Sequence, residues 1–359
     1  MLPLIKKKRK SRGKTIAWLL LCVCVVYLFA DIPVFAEYVY ARGVTRFLSF
    51  IINRITNPVP ISFYEVTAAL LIFCGVSFAV IEIIFLCKKK FRRFVLWLYR
   101  LAVVVLCVLL AFGLLYAPLY NRRSVNSALG LEINAVTEED VYAAANYFIE
   151  RLNEVSAKLE RDENGDVVAT HTFSETAVIL NDEYDKIGGS YFSSYDVNPK
   201  RVALSVAMSY LGITGIYFPF YAESNVNINI PSYQFPVTMA HEMAHAKGVA
   251  VEGEANIAAY VVCICSDDAY ISYSGLMYAA LNLVNNSGDY QSELYYSINK
   301  QSRTEYSNAS SHFAKYEGWL DDLSSFFNDL FLKSNGVSSG TKSYGETTQS
   351  IVALYYSLI

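Results

Sequence analysis

A disulfide framework is the first thing this sequence lacks. Five of its seven cysteines, Cys22, Cys24, Cys74, Cys87 and Cys107, lie in or beside apolar runs. The other two, Cys263 and Cys265, stand two apart on a predicted helix and point to different faces, which argues against a mutual bridge. A strong charge of either sign is also missing. The net charge is −3 with the signs mixed, so the water-soluble part carries no basic stripe and nucleic acid is a poor partner. No internal repeat and no low-complexity tract is visible. Histidine is scarce, with four in 359 residues.

Apolar residues, by contrast, are in surplus at 54%, and they concentrate in three runs before about residue 118. The runs are Thr15 to Ala30, Ser62 to Leu86 and Phe94 to Ala117. A hydrocarbon core of about 30 Å needs roughly 20 apolar residues in helix, a length the second and third runs meet. The first is shorter. It reads as an uncleaved anchor rather than a signal peptide, because Leu28 sits where a cut after Ala30 would need a small residue. Arg100, inside the third run, is expected to snorkel or to face a neighbouring helix. "KKKRKSRGK" precedes the first run and "KKKFRR", Lys88 to Arg93, joins the second to the third. Basic loops stay cytoplasmic. Residues 1–14 are therefore expected as a cytoplasmic tail and 15–117 as a three-span membrane region. The prediction is a multi-pass protein of the cell membrane, with residues 118–359 extracytoplasmic.

Residues 31–61 mix Phe, Val, Ile and Leu with Arg42, Arg46 and Arg54, the pattern of an amphipathic helix lying at the bilayer interface. The soluble region reads as α+β and mainly helical. Thr137 followed by Glu138, Glu139 and Asp140 predicts a capped helix start, with the helix running to about Glu160 until "DENGD" breaks it. Ser174 to Lys186 predicts another helix. Asn225, Asn227 and Asn229 alternate with Val226, Ile228 and Ile230, a strand period, and such a strand can line a cleft. Helices are then expected over Thr238 to Lys247, stopped by Gly248, and over Glu254 to about Cys265.

The stretch "AHEMAHAKGVAVEGEANIAAY", residues 240–260, carries the chemistry. His241 and His245 are four apart, so a helix puts both imidazoles on one face, where they can bind one metal ion. Glu242 turns about 100° away, placed to act as a general base on a metal-activated water and to carry its proton to a leaving amine. A catalytic zinc usually keeps three protein ligands and one open position. Glu252 and Glu254 are the nearest acids. The Glu252 side of the following helix carries Ala255, Asn256, Ala259 and Cys263, small enough for close approach, with Asn256 one turn on to hydrogen-bond Glu252 as a ligand. That favours Glu252 as the third ligand, with Glu254 as the alternative. HExxH also occurs by chance in unrelated helices, and a pair of core or surface histidines is the plain alternative; the stop glycine and the acid on a small-residue helix weigh for zinc. His171 and His312 read as structural or surface residues, and Glu223 as a strand end. Tyr273 or Tyr221 could supply a hydrogen bond to a tetrahedral oxyanion.

With these residues in view, "HEMAHAKGVAVEGEANIAAYVVC" resembles the signature of the bacterial membrane family catalogued as domain of unknown function 3810, roughly HExAHxxGxxxExEANxxAYxxC. "AEYVYARGVTRFLSFIINRITNPVPISFYE" is similar to its interfacial segment ending in PFSxGE, with Ile61 and Phe63 to Tyr64 departing from it. "GITGIYFPFYAESNVN" is similar to the stretch before the motif, with Tyr221 and Ser224 departing, "YSG" at Tyr273 to Gly275 to the one after it, and "NGVSSGTKSYGE" to the C-terminal part. The resemblance implies a gluzincin-type zinc metallopeptidase with a zincin-like domain, in which His241, His245 and Glu252 bind the metal, Glu242 is the base, and Glu254, Ala255 and Asn256 also match. The expected function is zinc-dependent hydrolysis of a peptide or protein substrate at the lipid bilayer. A non-enzymatic zinc-binding sensor or assembly protein is the alternative, and oligomeric state is not legible.

Overall fold

The apolar runs dominate the first third of the molecule. A computed structural model describes residues 2–187, 189–334 and 344–359. Its first helix is α1 (Leu2–Ala30). A π-type helix, Phe35–Val44, then leads into α2 (Thr45–Thr56), followed by α3 (Phe63–Cys87) and α4 (Phe91–Leu115). The Arg12–Ala30 part of α1, α3 and α4 are long and apolar enough to cross a bilayer, which makes this a membrane protein. On α3, Leu71, Ile72 and Phe73 are 65%, 70% and 69% exposed, as expected where lipid is the solvent. Helices α1 and α4 meet tightly at Gly113, where an added Cβ would lie 2.8 Å from Tyr27 and 2.9 Å from Val26.

The segment between the first two spans is two-faced in an inverted sense. Glu37, Tyr40, Ala41, Thr45, Ser49 and Asn53 are buried against the rest of the protein, while Phe47, Ile51 and Ile55 point outward. A small or polar inner face and an apolar outer face suit an element lying along a lipid interface. Three ion pairs hold the inner face at Glu37, from Arg42 at 2.7 Å, Arg122 at 3.1 Å and Arg123 at 3.7 Å. Arg46 also donates to the carbonyl of Tyr191 at 2.7 Å.

Beyond the membrane region come a short turn of 3-10 helix, Ala117–Asn121, α5 (Val125–Leu129), α6 (Glu138–Ser156) and α7 (Phe173–Ile187). The acids after Thr137 do mark a helix start, with Thr137 and Asp140 forming a reciprocal capping box. The helix ends at Ser156, short of the predicted end. The sheet consists of β1 (Lys200–Val202), β2 (Gly215–Phe218) and β3 (Glu223–Asn227), with α8 (Ser205–Ser209) after β1. Its order is β1-β3-β2, β1 parallel and β2 antiparallel to β3. The expected strand over 225–230 is thus displaced to 223–227, and it is central rather than cleft-lining. Asn225 and Asn227 are fully buried. Their amides donate to the Ile216 and Ile213 carbonyls at 3.3 and 2.9 Å, so their polar groups brace neighbouring chain.

The rest of the chain is helical: α9 (Phe235–Ala246), α10 (Glu252–Ile264), α11 (Ala269–Asn285), α12 (Gln291–Ser297), α13 (Lys300–Phe313), α14 (Trp319–Ser334) and α15 (Tyr344–Leu358). Helices α9, α10 and α11 form the core, where Met239, Met243, Ile257, Val262, Leu276 and Met277 have no exposure. Gly275 permits the closest approach: a Cβ there would sit 2.6 Å from that of Cys263. Cys263 is buried, Cys265 exposed, and neither forms a disulfide. Of the C-terminal stretch in the resemblance, residues 335–343 lie outside the described residues.

The soluble region is pinned to the second span. Ser62 donates to Asn225 Oδ1 at 2.7 Å, and Glu223 accepts from the Phe63 N–H at 3.1 Å. Glu65 accepts from the N–H groups of Ala203 and Leu204 at 2.9 and 2.7 Å.

Candidate metal centre

Helix α9 begins with Pro236 in its first turn, where a missing N–H costs nothing. It is anchored through its own carbonyls. Tyr184 donates to Ala240 O at 2.6 Å and Ser224 to Glu242 O at 2.7 Å. The chain then reverses at Gly248, whose φ of 106° only glycine adopts readily. The reversal returns Val249 to Val251 alongside α9 and starts α10 at Glu252, two residues earlier than the sequence pattern suggests. Glu252 is therefore the first residue of a helix rather than the last of a loop.

Three donors converge as a result. His241 Nε2 lies 3.0 Å from His245 Nε2 and 3.1 Å from Glu252 Oε2. His245 Nε2 is 3.6 Å from the same oxygen. Each residue offers one atom within 4.8 Å of the other two, and among the described residues this is the group that could hold a metal ion. Glu254 is not part of it. The far side of each ring is also engaged. His241 Nδ1 lies 2.8 Å from Asn256 Oδ1; His245 Nδ1 lies 2.8 Å from the Val249 carbonyl and 3.1 Å from the Tyr116 hydroxyl. A proton on each Nδ1 satisfies these acceptors and leaves both Nε2 lone pairs for a cation. Tyr217 stacks along His245 at 6.3 Å between ring centroids.

Glu242 stands beside this cluster, 4% exposed, with Oε2 lacking any hydrogen-bond partner. A buried carboxylate with an unfilled acceptor suits a group that must handle a water or a proton. Burial lifts its pKa to about 7, with the two imidazoles opposing. At His245 burial works against the proton, but the Glu252 carboxylate outweighs it and lifts the imidazole to about 9. Glu252 is held well below the usual carboxylate range: burial works against the charge, and the two histidines overcome it. Only a glycine fits opposite Glu242, since a Cβ at Gly215 would fall 2.4 Å from Glu242 Oε1.

The structure thus assembles His241, Glu242, His245, Glu252 and Asn256, although Asn256 contacts His241 rather than Glu252. It does not bring the two candidate oxyanion donors to the centre. Tyr273 is fully buried and turned to Glu305, Ser302 and Arg161. Tyr221 accepts from Thr67 at 3.1 Å and packs on Phe63. Neither lines the cavity at the metal centre. His171 pairs with Asp268 at 2.7 Å and His312 with the Asn229 carbonyl at 2.9 Å, both in structural contacts. Glu223 opens β3 rather than closing a strand. Sequence reasoning missed Tyr116, Tyr217, Gly215 and the Val249 carbonyl. Only the short apolar run "GIYF" signalled that a strand could pass here.

The centre opens into a cavity of about 1410 Å³. One wall is β2, an edge strand, which has no strand partner on its outer side among the described residues. Other walls come from α1, α4, α11 and α14.

The family described as "Protein of unknown function (DUF3810)" matches residues 40–352. No curated protein and no solved structure matches the chain.

Proposed function

We propose that this chain, which belongs to the DUF3810 family, is a membrane-anchored zinc metallopeptidase whose domain faces away from the cytoplasm. The observation that carries the reading is the combination of a three-donor cluster with a buried carboxylate, Glu242, that joins none of the donors and keeps one oxygen unpartnered. A site built only to hold a metal has no use for that carboxylate.

Two imidazoles and one carboxylate suit zinc in a catalytic setting, where three protein ligands leave a position open. Bound there, zinc supplies Lewis acidity and lowers the pKa of water to about 7. His241, His245 and Glu252 would hold it, with Asn256 and the Val249 carbonyl fixing the two rings. Glu242 takes a proton from the attacking water and delivers it to the leaving nitrogen, a task suited to a carboxyl with a pKa of about 7. The outer edge of β2, which pairs with no strand among the described residues, offers backbone groups to an extended peptide lying beside these residues. Tyr116 and Tyr217 exclude bulk water from the back of His245.

The test is paired. Full-length protein, purified and exposed to zinc, is expected to bind about one ion per chain and to cleave members of a mixed peptide library. Glu252→Ala should lose both properties, and Glu254→Ala should keep both. Metal loss in Glu254→Ala alone would place the third ligand at the other acid and undo the assigned centre.

A further inference from the structure

The cavity in front of the metal centre is polar at one end and apolar at the other. His241, Glu242, His245, Glu252 and Asn256 line the first end; Val23 and Tyr27 of α1, Val108, Leu109 and Phe112 of α4, and Phe331 of α14 line the second. Two of these wall helices have a membrane character. Val23 and Tyr27 belong to the first span, and Val108, Leu109 and Phe112 to the third. Val108 lies seven residues before the end of α4 at Leu115, so the apolar end reaches roughly 10 Å down the span at about 1.5 Å per residue. The volume, about 1410 Å³, exceeds the roughly 300–1,000 Å³ of ordinary small-ligand sites. A peptide dissolved in water has no use for such an extension.

Helix α14 closes the side of this channel and is itself apolar outward. Phe331 meets Phe112 at 6.0 Å between ring centroids. Trp319, Phe326 and Leu330 are 71%, 62% and 55% exposed, and Asp322 and Lys333 flank Phe326 on the same face near the two ends of the helix. A helix of this kind rests at a lipid interface, which places the mouth of the channel beside the bilayer. The occupant is also constrained in shape. Because α1 and α4 touch at Gly113, no helix about 10 Å across passes between them. A flexible chain can lie along their groove.

Building on the hydrolytic reading of the metal centre, we propose that the substrates are lipid-anchored peptides: the acyl chain of the anchor lies in the channel between α1, α4 and α14, and a nearby peptide bond reaches the metal centre. The reaction consumes one water. A C–O bond forms at the carbonyl carbon as the C–N bond breaks, and the water's proton passes through Glu242 to the departing amine, leaving a carboxylate and an amine. An acyl chain already in the bilayer enters sideways without crossing water, and its binding fixes the peptide against the site.

The experiment uses full-length, zinc-loaded protein in lipid nanodiscs and one mixed peptide pool capped in three ways: with palmitoyl, with acetyl, or with an apolar transmembrane helix. The palmitoyl pool carries a diazirine in its acyl chain. Cleavage of the palmitoyl pool should be at least about ten-fold faster than that of either other pool, and Leu109→Trp, which fills the channel, should bring the ratio toward one. With Glu242→Gln, which abolishes turnover, photolabelling should concentrate on Tyr27, Leu109 and Phe112 over the outward residues Leu71 and Phe73. Equal cleavage of palmitoyl and acetyl pools would overturn the substrate class while leaving the peptidase intact. Faster cleavage of the helix-anchored pool would overturn the acyl occupant. Labelling spread evenly over α3 and the channel would also overturn it, whether or not any pool is cleaved. Cleavage of none of the pools, with labelling confined to the channel, would defeat the peptidase reading and the substrate class with it.

Discussion

On the proposed reading, a proton and a metal ion compete for the same nitrogen of His245. Glu252 favours the proton strongly enough to raise the metal-free imidazole to about 9. A ligand must be neutral, so zinc bound there at pH 7 would displace about one proton, and its affinity should rise with pH until the imidazole loses that proton by itself. Chelator competition should show affinity falling about ten-fold per pH unit below 9; a flat profile between pH 6 and 8 would mean that His245 is neutral without metal. The residues on which this depends were legible in the sequence because helical spacing is local: histidines four positions apart share a face, and the small side chains around Asn256 point to the Glu252 side. Tyr273 misled because the fate of a hydroxyl depends on distant partners. Glu305, 32 residues further on, and Arg161, 112 residues back, claim it. Tyr116 escaped notice for the same reason, since 129 residues separate it from His245.

At the scale of elements, the edge strand matters more than its short length suggests. Strand β2 brings Gly215 against the Glu242 carboxylate and Tyr217 against His245. Gly215→Ala should therefore push Glu242 aside without touching any metal donor. Zinc content should stay at its wild-type value while peptide cleavage falls about 100-fold, the usual scale for a displacement near 1 Å. Unchanged cleavage would show that Glu242 has room the structure does not give it. The alternation of asparagines correctly announced a strand nearby, but the pattern records burial and not which face looks onto a cleft. Asn225 and Asn227 are buried because they bridge backbone groups, a polar core that reads in sequence like a polar surface. The start of α10 was misjudged for a similar reason. Its first turn is set by the reversal at Gly248 and by packing against α9, not by a capping side chain at Val251.

For the whole molecule, three apolar helices and two basic clusters lead us to propose that the large domain lies on the opposite face of the membrane from the amino-terminal tail. Alkaline phosphatase fused after Ile359 should be active in cells, and a fusion after Lys90 inactive; the reverse would invert the topology. The spans were readable because about 20 apolar residues in a row have few other destinations. Their second role, as walls of the cavity at the metal centre, was not, since it depends on how α1 and α4 lie against the soluble helices. The account as a whole rests on a carboxylate that serves chemistry rather than metal binding, and Glu242→Gln tests that claim most directly. Size and burial are preserved while the base is removed, so zinc should remain near one ion per chain as peptide cleavage drops by roughly 100-fold or more. Retained cleavage in Glu242→Gln, or a wild-type protein that holds zinc yet cleaves nothing in a broad library, would contradict the account and favour a zinc-binding sensor or assembly protein.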